Sequence, residues 1–354
     1  MTIIFAILLF SILIFVHELG HFLAAKASNV QVNEFSMFMG PAIWKKQKGE
    51  TLYSLRCIPI GGYCAMEGED QDTENPRSFQ KAAWWKRLGI LVAGSAMNLL
   101  AGFLIVVIVN SCTTMPIPQI AALRSGSSMS CEGGLQTGDL ILEMNGYIIA
   151  STQDFDAALQ ENKDETVFDI LVLRNGNQVM LQDVPMVPQE FPENEEGAAG
   201  TFYGINWSTR RLNVGEVIIQ SWNDCVYFAK LVWLSLGMLL SGEAGLQDMS
   251  GPVGIVSMMN DMAQASATAA GAVLNLLYFG GFIAVNLGVM NMLPIPALDG
   301  GRVFALLLTT GIEKITGKKI NSKVEGYIHG AGMVLLLIFM ALIMFKDIFT
   351  IFKG

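Results

Sequence analysis

The stretch "FSILIFVHELGHFLAAK", residues Phe10 to Lys26, sets two histidines and a glutamate, His17, Glu18 and His21, into an otherwise apolar run. Ionisable groups at membrane depth are costly unless they are paired or put to use. The run from 2 to 25 is long enough to cross a bilayer, which takes about 20 mostly apolar residues. Two more runs, 88–110 and 327–345, have the same character. A fourth, 274–298, is interrupted by glycine, asparagine and proline. Hydrophobic residues make up 52% of the chain and charged ones 15%, with mean hydropathy +0.45, too apolar for an ordinary soluble protein. No Lys or Arg precedes the first run, and polar HELGH stands where small cleavage-site residues would be expected, so a retained helix is predicted there.

The net charge of −9 hides an asymmetry. Residues 113–273 carry 19 acidic and 6 basic side chains, a net of −13, whereas the remainder carries 12 and 16, a net of +4. Positive charge gathers in 26–87, with nine Lys and Arg, and in 311–325, with Lys314, Lys318, Lys319 and Lys323. The positive-inside rule puts both loops in the cytoplasm and the acidic middle outside. No basic face exists to hold nucleic acid. The five cysteines, Cys57, Cys64, Cys112, Cys131 and Cys225, form no CxxC pair and give no disulfide framework, so they are expected as small apolar fillers.

HELGH matches H-E-x-x-H. On a helix, positions i and i+4 share a face, so His17 and His21 can reach one zinc ion while Glu18 projects toward its water. A glutamate so placed can take a proton from the attacking water and pass it to a leaving amine. The pattern holds two of the three histidines in the chain. A catalytic zinc normally has a third protein ligand. Asp299 in "NMLPIPALDGGR", Asn291 to Arg302, is the candidate. Pro294 and Pro296 cannot continue a helix, and unwound backbone at membrane depth survives only where protein buries it or a wet cavity receives it. The plainer alternative is Asp299 as a helix N-cap at the boundary.

HELGH in a first membrane helix, followed far downstream by N-x-x-P-x-P-x-L-D-G, resembles the site-2 protease family of intramembrane zinc metalloproteases, in particular its bacterial sigma-factor-regulating members. "GGYCAMEGED" at 61–70 looks like that family's membrane-associated β-loop, "GSAMNLLAG" at 94–102 its G-x-x-x-N motif, and "SGPVGI" at 250–255 also fits. The resemblance implies a Zn2+ cofactor held by His17, His21 and Asp299, with Glu18 as catalytic acid and base. It further implies Asn98, Asn291, Gly62, Tyr63, Pro294 and Pro296 as substrate-positioning residues. Asn98 alone could equally be a helix–helix hydrogen bond.

Between the first two runs, "VQVNEFSMF" and "TLYSLRCIPIGGYCAM" predict strands around the turn "KKQKGE". Such a sheet could receive an unwound substrate by strand addition. Residues 116–187 predict a small α/β domain with two "NG" hairpins and a Ser/Thr-capped helix from "STQDFDAALQ". Its G-D-x-I-L-x-x-N-G run resembles PDZ domains, either as a peptide-binding strand edge or as a purely steric module. One such module stands where some family members carry two. Residues 188–200 predict a linker, and 225–240 a helix on the membrane surface rather than a span. His329 is expected to pack rather than to ligate.

The expected fold is a polytopic α-helical membrane protein with about four transmembrane segments, a membrane-associated β-loop and an inserted extracytoplasmic α/β PDZ domain. Its parts are 1–112 with the first two spans and HExxH, 113–187 the PDZ domain, 188–273 linker and surface helix, and 274–354 the last two spans with the LDG motif. The expected activity is regulated intramembrane proteolysis in the bacterial plasma membrane. Its substrates would be membrane-spanning proteins already trimmed outside, either anti-sigma-factor-like proteins or signal-peptide remnants. A metal transporter would need ligands continuing along a pathway, yet histidine is nearly absent elsewhere. A PDZ scaffold without chemistry would leave HELGH and Asp299 unexplained.

Overall fold

The computed structural model describes residues 2–69, 73–131, 133–191, 200–243, 245, 251–266, 268–316 and 322–353. In chain order the elements begin with helix α1 (Thr2–Ala27), strands β1 (Val32–Lys48) and β2 (Thr51–Met66), and helix α2 (Trp84–Cys112). Then come β3 (Thr114–Leu123), β4 (Leu140–Met144), β5 (Tyr147–Ile148), α3 (Thr152–Glu161), β6 (Val167–Arg174) and β7 (Asn177–Pro185). Strands β8 (Gln189–Phe191), β9 (Gly200–Phe202) and β10 (Ile205–Arg211) follow. Helices α4 (Val214–Ser241), α5 (Pro252–Gln264), α6 (Ala269–Asn291), α7 (Asp299–Thr316) and α8 (Ser322–Lys353) complete the order. These elements form two compact units, Met1–Val109 with Val217–Gly354, and Asn110–Glu216.

In the first unit, α1, α2, α6 and the Gly330–Asp347 stretch of α8 are long and apolar enough to span a bilayer. Side chains such as Ile3, Leu8, Leu104, Ile108, Leu335 and Phe345 stand exposed on them, as helices facing lipid require. The chain is a polytopic membrane protein with a β domain. The third of these helices is shorter than the expected 274–298 run. It stops at Asn291, where Pro294 and Pro296 deny the next turns their hydrogen bonds, and helix resumes at Asp299 as α7.

Helix α1 ends on Asn29, whose φ of 62° reverses the chain while Val30 N–H bonds back to Ala25 O. Between α1 and α2 the contact is glycine-thin. A Cβ on Gly20 would lie 2.4 Å from the Ala93 carbonyl oxygen, and one on Gly94 would lie 2.3 Å from His21 Nε2. Small residues at such a crossing let backbones approach where lipid supplies no hydrophobic drive.

Strands β1 and β2 make an antiparallel ribbon that folds back on itself. Residues Glu34–Met37 are flanked by Leu52–Leu55 on one side and by Gly62–Ala65 on the other. Gly62–Ala65 is therefore an outer strand, with no further strand beyond it among the described residues. Arg56 pins the fold-back by donating to Glu34 Oε1 at 2.8 Å and to the Gly40 carbonyl at 2.6 Å. The Gly49–Glu50 turn is tied to α1 and the loop before α2, since Lys26 and Arg77 both reach the Glu50 carboxylate at 2.6 Å.

Helix α4 runs from Val214 to Ser241, longer than the expected 225–240, and its Phe228 packs edge-on to Tyr278 and Phe282 of α6. Helix α5 starts within the "SGPVGI" run, of which Ser250 lies outside the described residues. Its first turn is capped from a distance, Gly254 N–H donating to Asp347 Oδ2 of α8 at 2.9 Å. The middle of the 188–200 stretch, the lysines Lys318 and Lys319, and the His329 side chain also lie outside the described set.

The second unit is a sheet of order β10-β3-β4-β6-β7, with β5 beside β4 and a separate β8–β9 ribbon. The expected boundary at 187 falls inside it, because β10 returns to pair with β3. Ile120, Ile141, Phe155, Phe168 and Ile170 close its core. Ser151 caps α3 in a reciprocal box with Asp154. Asn145–Gly146 and Asn175–Gly176 take the positive φ pairs that tight hairpins need. Asp139 is fully buried, chelated by Arg174 through two bonds of 2.7 Å and by Gln136 N–H at 2.8 Å.

All five cysteines are free thiols. Only Cys64 is buried, and burial pushes its thiol up to about 12. Cys57, Cys112 and Cys131 are exposed, so small apolar filler does not describe them.

Candidate metal centre

Helical spacing puts His17 and His21 on one face of α1, toward α2 and the start of α7. His17 Nε2 lies 3.2 Å from His21 Nε2. Both meet Asp299 Oδ2, at 3.2 Å from His17 and 3.3 Å from His21. Asp299 is the first residue of α7, delivered by the tight turn after α6, in which Ile295 N–H bonds to Leu293 O and Leu298 N–H to Ile295 O. The two glycines after it are what this turn needs. A Cβ on Gly300 would strike Leu293 O at 2.3 Å, and one on Gly301 would strike Ile295 O at 2.3 Å.

Zinc fits these three groups. His21 Nδ1 is 2.8 Å from the Ile90 carbonyl oxygen, which can only accept, so the ring's proton sits on Nδ1 and Nε2 offers a lone pair. Asp299 Oδ2 is buried and, the two imidazole nitrogens apart, has no partner. Acceptors converging in a buried space call for a cation between them. Their spacing suits zinc as well, since a tetrahedron with bonds of about 2.0–2.1 Å has edges of about 3.3–3.4 Å.

Glu18 shares with them a cleft of about 650 Å³, which it lines together with His17, His21, Asp299, Tyr63 and Met66. Its carboxylate is hydrogen-bonded by the backbone N–H of Cys64 on the outer strand. Of the residues expected to position substrate, Gly62 and Tyr63 line this cleft, whereas Asn98, Asn291, Pro294 and Pro296 are not among its described lining residues. Asn98 instead lies beside His17, its Nδ2 3.4 Å from Nδ1. Two features escaped the sequence. Arg302 lines the cleft and pairs with Glu69, which follows β2. Its i+3 spacing from Asp299 on α7 was the available signal. The Ile90 carbonyl has no side-chain signature at all.

Residues 5–339 match the family model described as peptidase family M50. A Clostridium acetobutylicum protein provisionally described as a zinc metalloprotease is 35% identical, over 98% of this chain and 97% of its own length. A Fusobacterium nucleatum protein of the same description is 31% identical over the whole of both chains. The regulator of sigma-W protease RasP of Bacillus subtilis is 26% identical over 99% of both.

Proposed function

Because the chain belongs to peptidase family M50 and is a zinc metalloprotease, we propose that it cuts peptide bonds within membrane-spanning helices of proteins already trimmed outside. Candidate substrates are anti-sigma-factor-like proteins, in keeping with a Bacillus subtilis relative described as a regulator of sigma-W protease, and signal-peptide remnants. The single observation that supports this best is the meeting of His17, His21 and Asp299 beside Glu18, on helices apolar enough to lie in a bilayer.

In this reading His17 Nε2, His21 Nε2 and Asp299 hold the metal. Bound zinc polarises the scissile carbonyl and lowers the pKa of water. One Glu18 carboxylate oxygen takes the proton from the attacking water and then gives it to the leaving amine nitrogen, so the peptide is hydrolysed without net change at the glutamate. The outer strand Gly62–Ala65, with no further strand beyond it among the described residues, gives an opened substrate segment an edge to pair with, presenting its carbonyl in extended form. A helical segment hides those groups and must unwind first. We further assign Asn110–Glu216 as a PDZ domain on the outer side of the bacterial plasma membrane, with the basic loops inside.

The test is cleavage of a single-span substrate by protein reconstituted in liposomes, alongside metal analysis. Glu18→Gln should keep zinc and lose turnover by about 10²-fold or more. A Glu18→Gln protein that still cleaves would overturn the assignment.

A further inference from the structure

Three positions on one face of α2, spaced four apart, meet the two histidines. The Ile90 carbonyl takes His21 Nδ1 at 2.8 Å. Gly94 leaves room for both rings, since a Cβ there would lie 2.3 Å from His21 Nε2 and 2.8 Å from His17 Cε1. Asn98 comes next, only 1% exposed, with Nδ2 3.4 Å from His17 Nδ1 and Oδ1 buried without a partner.

That carboxamide orientation is unfavourable at both ends if His17 Nε2 is to face a metal. His17 then carries its proton on Nδ1, so an N–H group confronts an N–H group, and a buried acceptor goes unmet. Half a turn about the last side-chain bond exchanges Oδ1 and Nδ2, which only their hydrogen bonds distinguish, and brings Oδ1 to the His17 Nδ1–H.

We propose that Asn98 is a positioning residue for His17: Oδ1 accepts the Nδ1–H hydrogen bond and fixes the tautomer that leaves Nε2 free for the metal. The G-x-x-x-N motif of α2 then orients the ligands and does not touch substrate. Gly94 admits the rings, Asn98 holds one, and the Ile90 carbonyl holds the other. This rests on the metal centre proposed above.

The experiment uses the full-length protein in detergent, stripped of metal and titrated with Co2+ against a chromophoric chelator. Affinity and the visible absorption of the bound ion are read, together with KM and kcat on a single-span substrate. Asn98→Ala should weaken Co2+ binding by about 10–100-fold, the usual cost of losing such a partner, and alter the absorption band. Asn98→Asp keeps an acceptor at the same place and should restore affinity to within a few fold of the parent, with KM unchanged. His21→Ala serves as the independent check on the centre. If it abolishes Co2+ binding while Asn98→Ala leaves affinity and spectrum intact and raises KM, Asn98 handles substrate and the positioning role is wrong. Lowered thermal stability in Asn98→Ala with unchanged Co2+ affinity would also overturn it, in favour of a plain helix–helix bond. An Asn98→Asp protein that folds but binds Co2+ as weakly as Asn98→Ala does the same.

Discussion

Gly62 of the outer strand lies directly against Glu18 of α1: a Cβ built at 62 would stand 3.3 Å from Glu18 Cγ and 3.1 Å from the Ser36 carbonyl oxygen. Strand and helix are in contact at this point, and any side chain there must push one of them away. Gly62→Val should therefore displace Glu18 while leaving the metal ligands untouched. The expected result is unchanged zinc content with kcat/KM down by about 10²-fold, the scale of a 1 Å misplacement.

The second unit depends on Asp139. Removing it leaves the Arg174 guanidinium half-buried without its carboxylate and opens the turn that Gln136 N–H closes. Asp139→Ala should destabilise that unit by about 3–5 kcal/mol, the usual cost of breaking a buried pair. Hydrogen exchange of β4 and β6 in the full-length protein measures it, and protection equal to the parent's would count against it.

Both the meeting of His17, His21 and Asp299 and the membrane helices were largely legible in the sequence, and the reasons are local. HELGH carries its geometry in its spacing, and two prolines announce the break that delivers Asp299. The Asn–Gly pairs announce hairpins because few other residues accept positive φ twice. What escaped depends on contacts between distant segments. The fold-back of β1 and β2 gives Glu34–Met37 two sets of partners, which period-two alternation cannot encode. Helix α5 begins on Pro252, a local start signal, but its first turn also takes a cap from Asp347, 93 residues from the amide it serves, which no sequence pattern announces. Strand β10 joins the second sheet across a stretch rich in proline and glutamate that reads as a linker.

The Glu50 tie has a definite acid limit. Hydrogen bonds from Arg77 and Lys26 hold its carboxyl down at about 2, below the ordinary glutamate value of about 4.3. A carboxyl lowered on folding contributes stability that is fully present above the unfolded value and lost as pH falls through the folded one. The turn should stay anchored to about pH 2, with a gain under about 1 kcal/mol because solvent screens the pair. An NMR titration of the Glu50 carboxyl near 4.3 would contradict this.

Membrane orientation can be read by thiol labelling in a background without the natural cysteines. A cysteine at Lys46 should react only from the cytoplasm and one at Asn162 only from outside. Labelling of both from the same side would rule out the proposed orientation.

The second unit carries none of the residues assigned to metal, base or substrate strand, and is expected to restrict access instead. Replacing Asn110–Glu216 with a flexible linker should raise cleavage of untrimmed substrate relative to trimmed by about tenfold or more, an effect of about 1.4 kcal/mol on relative access. An unchanged ratio would leave the unit as a docking site or a spacer.

His17 and His21 leave the ribosome long before Asp299, which lies at the joint where α6 breaks and α7 begins. A partly made chain thus holds the glutamate and the two histidines proposed for the centre, but not the aspartate that would complete it. On the proposed reading, tight metal binding, and with it peptide-bond cleavage, waits until residue 299 of the 354 has been made and threaded into place. If His17, His21 and Asp299 hold the metal as proposed, the split of the ligands between distant segments ties activity to the joining of those segments.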